Sequence, residues 1–111
     1  MDRDERRSIP RVEVNWPVTL FVDEDIIEGE SKNITTEGLS ICCDKPLPLN
    51  KVLRMSIAPP HHQAIGVTCK VIWSDLYGIN GDETTFGVGV CMVEISDEDR
   101  DLLNNLVSIY F

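Results

Sequence analysis

Apolar side chains occupy alternate positions along most of this chain, and this alternation limits the folds that the chain can adopt. The clearest example lies in the second half, at Ile65, Val67, Cys69, Val71 and Trp73. Successive side chains of a β-strand point to opposite faces of a sheet, so a repeat of two residues predicts a strand with one buried face. These five side chains are therefore predicted to line an interior.

The same repeat recurs elsewhere and predicts five more strands. Residues 12–22 predict a long first strand, in which Pro17 indicates an edge or a bulge because proline has no backbone N–H. The other four strands are predicted at residues 26–34, 39–43, 53–57 and 86–92. A loop with the turn signal Asn80-Gly81 precedes the last of them. Six short strands separated by turns predict an antiparallel β-barrel, closed or nearly closed.

The last residues change to a helical repeat. Ser96 is predicted to cap a helix whose first turn carries the acidic residues 97–99, which the positive end of the helix dipole favours. One face of this helix is apolar, with Leu102, Leu103, Leu106, Val107 and Tyr110. The predicted fold is therefore all-β with a C-terminal helix: a six-stranded antiparallel β-barrel whose helix covers an opening or an exposed strand edge.

Acidic residues outnumber basic ones, 19 to 10, which gives a net charge of -9. This excess argues against broad binding of nucleic acid or of anionic membranes, both of which attract basic surfaces. Four arginines nevertheless lie within the first 11 residues, namely Arg3, Arg6, Arg7 and Arg11. We infer that this arginine-rich segment has a local role.

The first residues are highly charged and contain no apolar signal-peptide core, and no apolar run reaches the roughly 18 residues of a membrane helix. The chain is therefore expected to stay in the cytoplasm, without membrane insertion. The cysteines lack the spacing of a disulfide framework or a zinc site and are expected to be small buried residues: Cys42, Cys43, Cys69 and Cys91.

The sequence offers no catalytic residue and no metal site. His61 and His62 are adjacent in a loop, and no second group of ligands accompanies them. Gly38-Leu39-Ser40-Ile41-Cys42 begins like a nucleophile elbow but lacks its second glycine. A nucleotide hydrolase would need a general base or a metal cluster, and the sequence shows neither. The chain is predicted not to be an enzyme.

Two motifs carry the functional prediction. The first is Arg6-Arg7-Ser8-Ile9-Pro10-Arg11, in which Pro10 disfavours helical backbone at the preceding residue. In an extended segment Arg7 and Arg11 would stand roughly 13 Å apart. Guanidinium groups at that spacing suit a planar, anionic ligand, because they pair with phosphates or guanine edges and stack on bases. A solvated basic segment is the alternative.

The second motif is Asn33-Ile34-Thr35-Thr36-Glu37-Gly38, at the entry to the third strand. Asn33 offers a donor and an acceptor, Thr35 a hydroxyl, and Gly38 a backbone that can take positive φ. The alternative here is an ordinary turn, for which the same residues are favoured.

Together, in this order and on this frame, the motifs resemble those of the PilZ domain family, bacterial receptors for cyclic di-GMP. That family shows R-x-x-x-R before its first barrel strand and [D/N]-x-[S/A]-x-x-G between its second and third strands. Arg7 and Arg11 match the first pattern, and Asn33 and Gly38 the second. Thr35 departs from it, and its extra methyl is expected to reduce affinity. The resemblance extends over the whole chain, including 71–73, 86–90 and the terminal helix.

The resemblance implies the roles of the binding residues. Arg7 and Arg11 would clamp guanine edges and phosphates, and Asn33 would read a guanine edge, with Thr35 and Gly38 beside the ligand. Arg6 completes the doublet of members that bind a stacked ligand dimer. Trp73 is near the ligand in some members, but its alternation here predicts a core position.

The sequence thus predicts a flexible arginine-rich ligand-binding arm at residues 1–11 and a PilZ-like barrel with its helix at 12–111. The ligand is cyclic di-GMP, without a further cofactor. Lacking an output domain, the chain is expected to relay the signal through an unidentified protein partner or its own assembly. The alternatives are a PilZ-like adaptor that binds protein and no nucleotide, and an oligonucleotide-binding barrel. The latter would need a basic, aromatic-rich face, whereas this chain is acidic.

Overall fold

Six strands and one helix make up the fold in the computed structural model, which describes residues 12–80 and 83–110, with side chains at 12–75 and 85–110. The strands are β1 (Pro17–Val22), β2 (Asp25–Ile34), β3 (Gly38–Cys43), β4 (Val52–Ile57), β5 (Ile65–Asn80) and β6 (Glu83–Ile95). Helix α1 follows as Asp97–Tyr110.

The strands form a closed barrel in the order β1-β2-β3-β6-β5-β4, and every neighbouring pair is antiparallel. Hydrogen bonding between β1 and β4 completes the ring, for example at the pair Leu20 and Met55. The alternating apolar residues fill the interior, where Val67, Cys69 and Val71 are fully buried. This architecture confirms the six-stranded antiparallel barrel with a C-terminal helix.

The first predicted strand is shorter than its apolar repeat. Only Pro17–Val22 forms a regular strand. The preceding residues run beside β2 with irregular backbone and are joined to it by backbone hydrogen bonds between Val12 and Ile34 and from the Ser31 N–H to the Trp16 carbonyl. There the fully buried Ser31 hydroxyl accepts a hydrogen bond from the Trp16 N–H at 2.9 Å and donates to the Val14 carbonyl. A side chain thus replaces part of the missing strand pairing, because buried backbone groups need partners.

The loop expected before the last strand is largely paired instead. Strands β5 and β6 continue their ladder from Ser74 opposite Val88 as far as Asn80 opposite Glu83. Gly81 of the turn signal lies outside the described residues. The sequence of this hairpin includes Leu76 and Ile79 but lacks the sustained apolar alternation by which strands are predicted.

Helix α1 begins as predicted. The Ser96 side chain accepts a hydrogen bond from the Asp99 N–H at 3.1 Å, which caps the first turn. The helix buries Leu103, Leu106 and Val107 in the same apolar core as the barrel. Tyr110 lies edge-on to Trp16, with 5.8 Å between the ring centres. Because the six strands close on themselves, the helix covers core side chains and not a free strand edge.

The cysteines divide between the two faces of the barrel wall. All four thiols are free; Cys43 and Cys69 are buried as expected, whereas Cys42 and Cys91 are only partly buried. Burial raises the pKa of Cys69 to about 12. Burial also raises the pKa of Cys43, whose Sγ donates a hydrogen bond to the Lys45 carbonyl at 3.1 Å. The two inward thiols therefore act as small core residues.

Replacing Ser31 by Ala should destabilise the protein by about 1–3 kcal/mol, because it leaves the buried N–H of Trp16 and the carbonyl of Val14 without their partner. Chemical denaturation measures the change. Ser56→Ala on β4 is the control: its half-buried hydroxyl makes no hydrogen bond with the part of the chain that the structure describes. Equal losses in the two variants would show that the Ser31 bridge contributes nothing specific.

Candidate functional site

Four residues form a continuous row across the outer face of the barrel, one on each of four neighbouring strands. Asn33 of β2 pairs with Ser40 of β3, Ser40 with Gly89 of β6, and Gly89 with Trp73 of β5. Neighbouring strands lie about 4.8 Å apart, so the row spans roughly 14 Å. Asn33 and Trp73 stand at its two ends, and the small residues Ser40 and Gly89 lie between them.

A depression of about 460 Å³ lies over this row. Its lining combines the row, the turn before β3 and the adjoining parts of β3, β5 and β6: Asn33, Thr35, Glu37, Gly38, Leu39, Ser40, Ile72, Trp73, Gly89, Val90 and Cys91. A second depression of about 200 Å³ shares Asn33, Ser40 and Trp73 with the first and adds Lys32 and Cys42 among others. We call the two together the outer groove.

β-Bulges place both ends of the row. The register of β2 shifts between Ser31 and Asn33, and that of β5 shifts between Val71 and Trp73. A bulge adds one residue to a strand, so two successive side chains can point to the same face. Lys32 and Asn33 both leave the core in this way, although Ser31 before them is buried.

The prediction that Trp73 belongs to the core is wrong. Its side chain is 45% exposed and lines the groove, and Ile72 before it is also exposed, whereas Val71 is fully buried. The bulge at Ile72 breaks the alternation, so that Trp73 faces outwards although Val71 faces the core. A pattern of apolar residues does not reveal the extra residue, because Ile72 and Trp73 would both be acceptable in a core.

The turn before β3 is organised by Thr35. Its hydroxyl accepts hydrogen bonds from the N–H groups of Glu37 at 3.0 Å and Gly38 at 3.1 Å, and donates to the Gly38 carbonyl at 3.1 Å. The side chain therefore holds the turn through the hydroxyl that it shares with serine. Nearby, the Asn33 amide Nδ2 donates to the Ser40 hydroxyl at 3.3 Å, which orients the amide at the end of the row.

Glycine is required at position 38 for close packing and not for positive φ. The backbone there does not take a positive φ, contrary to the sequence-based expectation. A Cβ atom at Gly38 would instead lie 2.4 Å from the Val90 carbonyl oxygen of β6. Because that oxygen belongs to a paired strand, it cannot move aside without disturbing the ladder.

Gly89 provides space for the indole of Trp73. A Cβ atom there would lie 2.0 Å from the indole Nε1 and 2.4 Å from Cε2. The ring therefore rests directly on the backbone of β6 and leaves its other face towards the groove. Glycine inside a strand often marks such a close approach. The alternate glycines Gly87 and Gly89 are therefore the feature of the sequence that could have indicated a side chain packed against the backbone of β6.

The structure brings together three of the predicted binding residues, Asn33, Thr35 and Gly38, in the outer groove. The other three, Arg6, Arg7 and Arg11, lie outside the described residues. Sequence reasoning missed Trp73, Ser40 and Gly89, which complete the row.

The structure also bears on other site types. Among residues 12–80 and 83–110, no three or more side chains of His, Cys, Asp and Glu gather in a group that could hold a metal ion. His61 and His62 are exposed in a turn. In the same part of the chain, no helix is long and apolar enough to cross a membrane.

Comparison with known proteins identifies the family. The family model described as the PilZ domain matches residues 5–108, nearly the whole chain. This chain belongs to the PilZ domain family. PilZ domains are binding modules and not enzymes, and the match begins within the arginine-rich segment. A search of curated proteins finds no match.

Solved structures show the same fold. The PilZ domain of YcgR from Escherichia coli with c-di-GMP matches with a TM-score of 0.76 at 11% identity, covering 95% of this chain and 91% of that one. The motility inhibitor MotI/DgrA of Bacillus subtilis matches with a TM-score of 0.71 at 20% identity, covering 95% of this chain and 49% of that one. MrkH of K. pneumonia matches with a TM-score of 0.76 at 13% identity, covering 94% of this chain and 48% of that one. The chain thus spans about half the length of the latter two.

Gly89→Ala should displace the Trp73 indole from the floor of the groove, because the new methyl would occupy the position of the ring. The chain has two tryptophans, so an NMR spectrum shows two indole N–H signals. The signal absent from a Trp73→Phe variant should shift strongly, and that of buried Trp16 should stay in place. Gly66→Ala is the control, since a Cβ there meets no atom closer than 3.4 Å. An unmoved Trp73 signal would contradict this packing.

Proposed function

We propose that this PilZ domain is a receptor for cyclic di-GMP, which binds in the outer groove and is held there by the arginines of residues 1–11. The proposal depends on where the barrel receives that segment. Val12 and Ile34 exchange two backbone hydrogen bonds of 2.9 Å, one in each direction. In this antiparallel pair, the position before Val12 lies on the same side as the position after Ile34, which is Thr35. Arg11 precedes Val12 in the chain, so the last arginine of the first motif is attached beside Thr35 of the second.

Chain length supports joint binding by the two motifs. Arg7 precedes Val12 by five residues, and an extended chain covers at most about 3.3–3.6 Å per residue. The segment can therefore extend about 17 Å, compared with the roughly 14 Å from Asn33 to Trp73 across the row. Arginines attached at this point could reach a ligand anywhere along the groove.

The groove itself suits a planar base. Trp73 offers an indole face at one end, and stacking on aromatic side chains is the usual way in which proteins bind unpaired bases. Asn33 offers amide hydrogen bonds at the other end, and Ser40 and Gly89 between them are small enough to leave room for a ligand. In the described part of the groove, the cation Lys32 is offset by the carboxylate of Glu37. We therefore expect the arginines to supply most of the positive charge that neutralises the two phosphates of the ligand.

We further propose that the receptor works in the cytoplasm and transmits its state to a protein partner. The four free cysteines suit a reducing compartment. A ligand can signal only if a partner distinguishes the bound state from the free one. Residues 1–11, drawn over the groove by the ligand, would cover one surface and form another, and that new surface is what a partner would contact.

Calorimetric titration with cyclic di-GMP should show saturable binding, with much weaker binding of GMP or GTP. Arg7→Ala and Arg11→Ala should each lose about 1–3 kcal/mol, or roughly 5- to 150-fold in affinity, the range for a bidentate contact to guanine. Asn33→Ala should lose less because its contact is neutral. Arg54→Ala is the matched control, since Arg54 lies on β4, which contributes nothing to the groove.

Two results would reject this assignment. If the parent protein gives no heat of binding with millimolar cyclic di-GMP, the receptor proposal fails and the adaptor without nucleotide takes its place. If the parent binds but Arg7→Ala, Arg11→Ala and Arg54→Ala all bind equally well, the ligand is held by other groups.

Hydrogen exchange measures whether residues 1–11 are ordered by the ligand. The segment carries few apolar side chains with which to offset the entropy of ordering. We expect protection to rise at residues 6–11 and 33–38 when cyclic di-GMP is added, while the barrel core changes little. Full protection of residues 6–11 without ligand would exclude a transition from disorder to order.

A further inference from the structure

Two charged side chains line the outer groove within the described chain, and they lie towards opposite ends of β3. Glu37 precedes Gly38 at the start of the strand and lines the larger depression. Lys32 lines the smaller one together with Cys42, near the end of the strand. The groove is therefore polarised, with a carboxylate towards one end and an ammonium group towards the other.

The position of Glu37 is fixed although its side chain is exposed. Its N–H donates to the Thr35 hydroxyl at 3.0 Å, and its carbonyl accepts a hydrogen bond from the Met92 N–H at 2.8 Å. The backbone of this residue is thus held on both sides, by the turn and by β6. Its carboxylate extends from a fixed backbone position at the edge of the groove, within side-chain reach of a ligand bound there.

A carboxylate accepts hydrogen bonds and donates none. It would repel a phosphate, so the part of the ligand beside Glu37 must present donors. The Watson–Crick edge of guanine presents two adjacent donors, N1–H and N2–H, whereas that of adenine presents an acceptor at N1 beside its amino group. A carboxylate therefore binds guanine at two points and is repelled by the adenine N1.

Asn33 makes this distinction less firmly than a carboxylate. Its amide carries an acceptor and a donor side by side, and only the hydrogen bond of Nδ2 to Ser40 sets which of the two faces a base. Firm discrimination between the bases needs a group whose hydrogen bonding has a single direction, and Glu37 is the acceptor-only side chain that lines the described part of the groove.

We propose that Glu37 is a specificity-determining residue, which selects guanine over adenine by accepting hydrogen bonds from the guanine Watson–Crick edge. This inference rests on the proposed receptor function and adds to it the reason for base selectivity. Glu37 lies within the second motif but at one of its variable positions, between Thr35 and Gly38, so the motif assigns it no role.

Calorimetry with cyclic di-GMP and cyclic di-AMP tests the inference on the parent protein, Glu37→Gln and Glu28→Gln. Glutamine can donate to the adenine N1, so Glu37→Gln should weaken cyclic di-GMP and strengthen cyclic di-AMP. The Kd for cyclic di-AMP divided by the Kd for cyclic di-GMP should fall by about tenfold. This change lies within the roughly 5- to 150-fold effect of one bidentate base contact. Glu28 is exposed on β2 outside the groove, and its variant makes the same change in net charge. It should leave the ratio unchanged.

Each result has one meaning. A parent that binds cyclic di-GMP while Glu37→Gln keeps its selectivity overturns the role of Glu37 and leaves the receptor function intact. Tighter binding of both ligands by Glu37→Gln also overturns it, because the carboxylate would then act only by repulsion. A parent that binds neither ligand rejects the receptor function and this inference together. Thermal unfolding of each variant confirms that the exposed substitutions leave the fold unchanged.

Discussion

Hydrogen bonding between β1 and β4 closes the barrel, and the rest of the structure depends on this closure. Once the ring is complete, every strand has an inner and an outer face, and a side chain belongs to one or the other. The inner face takes the apolar residues and becomes the core. The outer face is then free to carry binding residues, since it contributes little to the burial that stabilises the fold.

Departures from regular pairing give the outer groove its shape. One bulge in β2 precedes Asn33, and another in β5 precedes Trp73. The inserted residue of each bulge is the reason that these two side chains point out of the barrel. Between them, Gly89 allows the indole to lie flat against the sheet, and Gly38 allows β3 to approach β6. The binding surface is therefore made by local exceptions within a regular ladder.

The architecture could be predicted from the sequence because the inner face obeys a simple rule. Alternation at residues such as Val67, Cys69 and Val71 shows directly which side chains are buried, and the capping serine and apolar stripe identify the helix. Part of the site was also predictable, because Asn33, Thr35 and Gly38 form a motif that resembles one known family. These binding residues were identified by their spacing in the sequence and not by any pattern of burial.

The remainder could not be predicted because it depends on register between distant strands. Trp73 shares its apolar character with the core residues before it, and nothing in the local sequence indicates that the bulge at Ile72 turns both outwards. Gly89 pairs with Trp73 on one side and with Ser40 on the other. These pairings likewise depend on the register of three strands together. The length of the β5–β6 hairpin was missed for a related reason, since the pairing from Ser74 to Asn80 is not accompanied by an apolar alternation in the sequence.

The separation of the two faces has an evolutionary consequence. The row of Asn33, Ser40, Gly89 and Trp73 lies outside the wall, whereas the residues that stabilise the barrel lie inside it. Substitutions at Asn33, Ser40 and Trp73 should therefore cost less stability than substitutions inside the wall, whereas Gly89 is constrained by its contact with the indole. A lineage can thus change its ligand preference while keeping the same scaffold. The solved PilZ structures show how far the sequence can change while the fold is kept: identities of 11 to 20% accompany TM-scores of 0.71 to 0.76. In such a barrel a residue outside the wall can be exchanged to suit the ligand that it contacts, while the residues inside continue to hold the same frame.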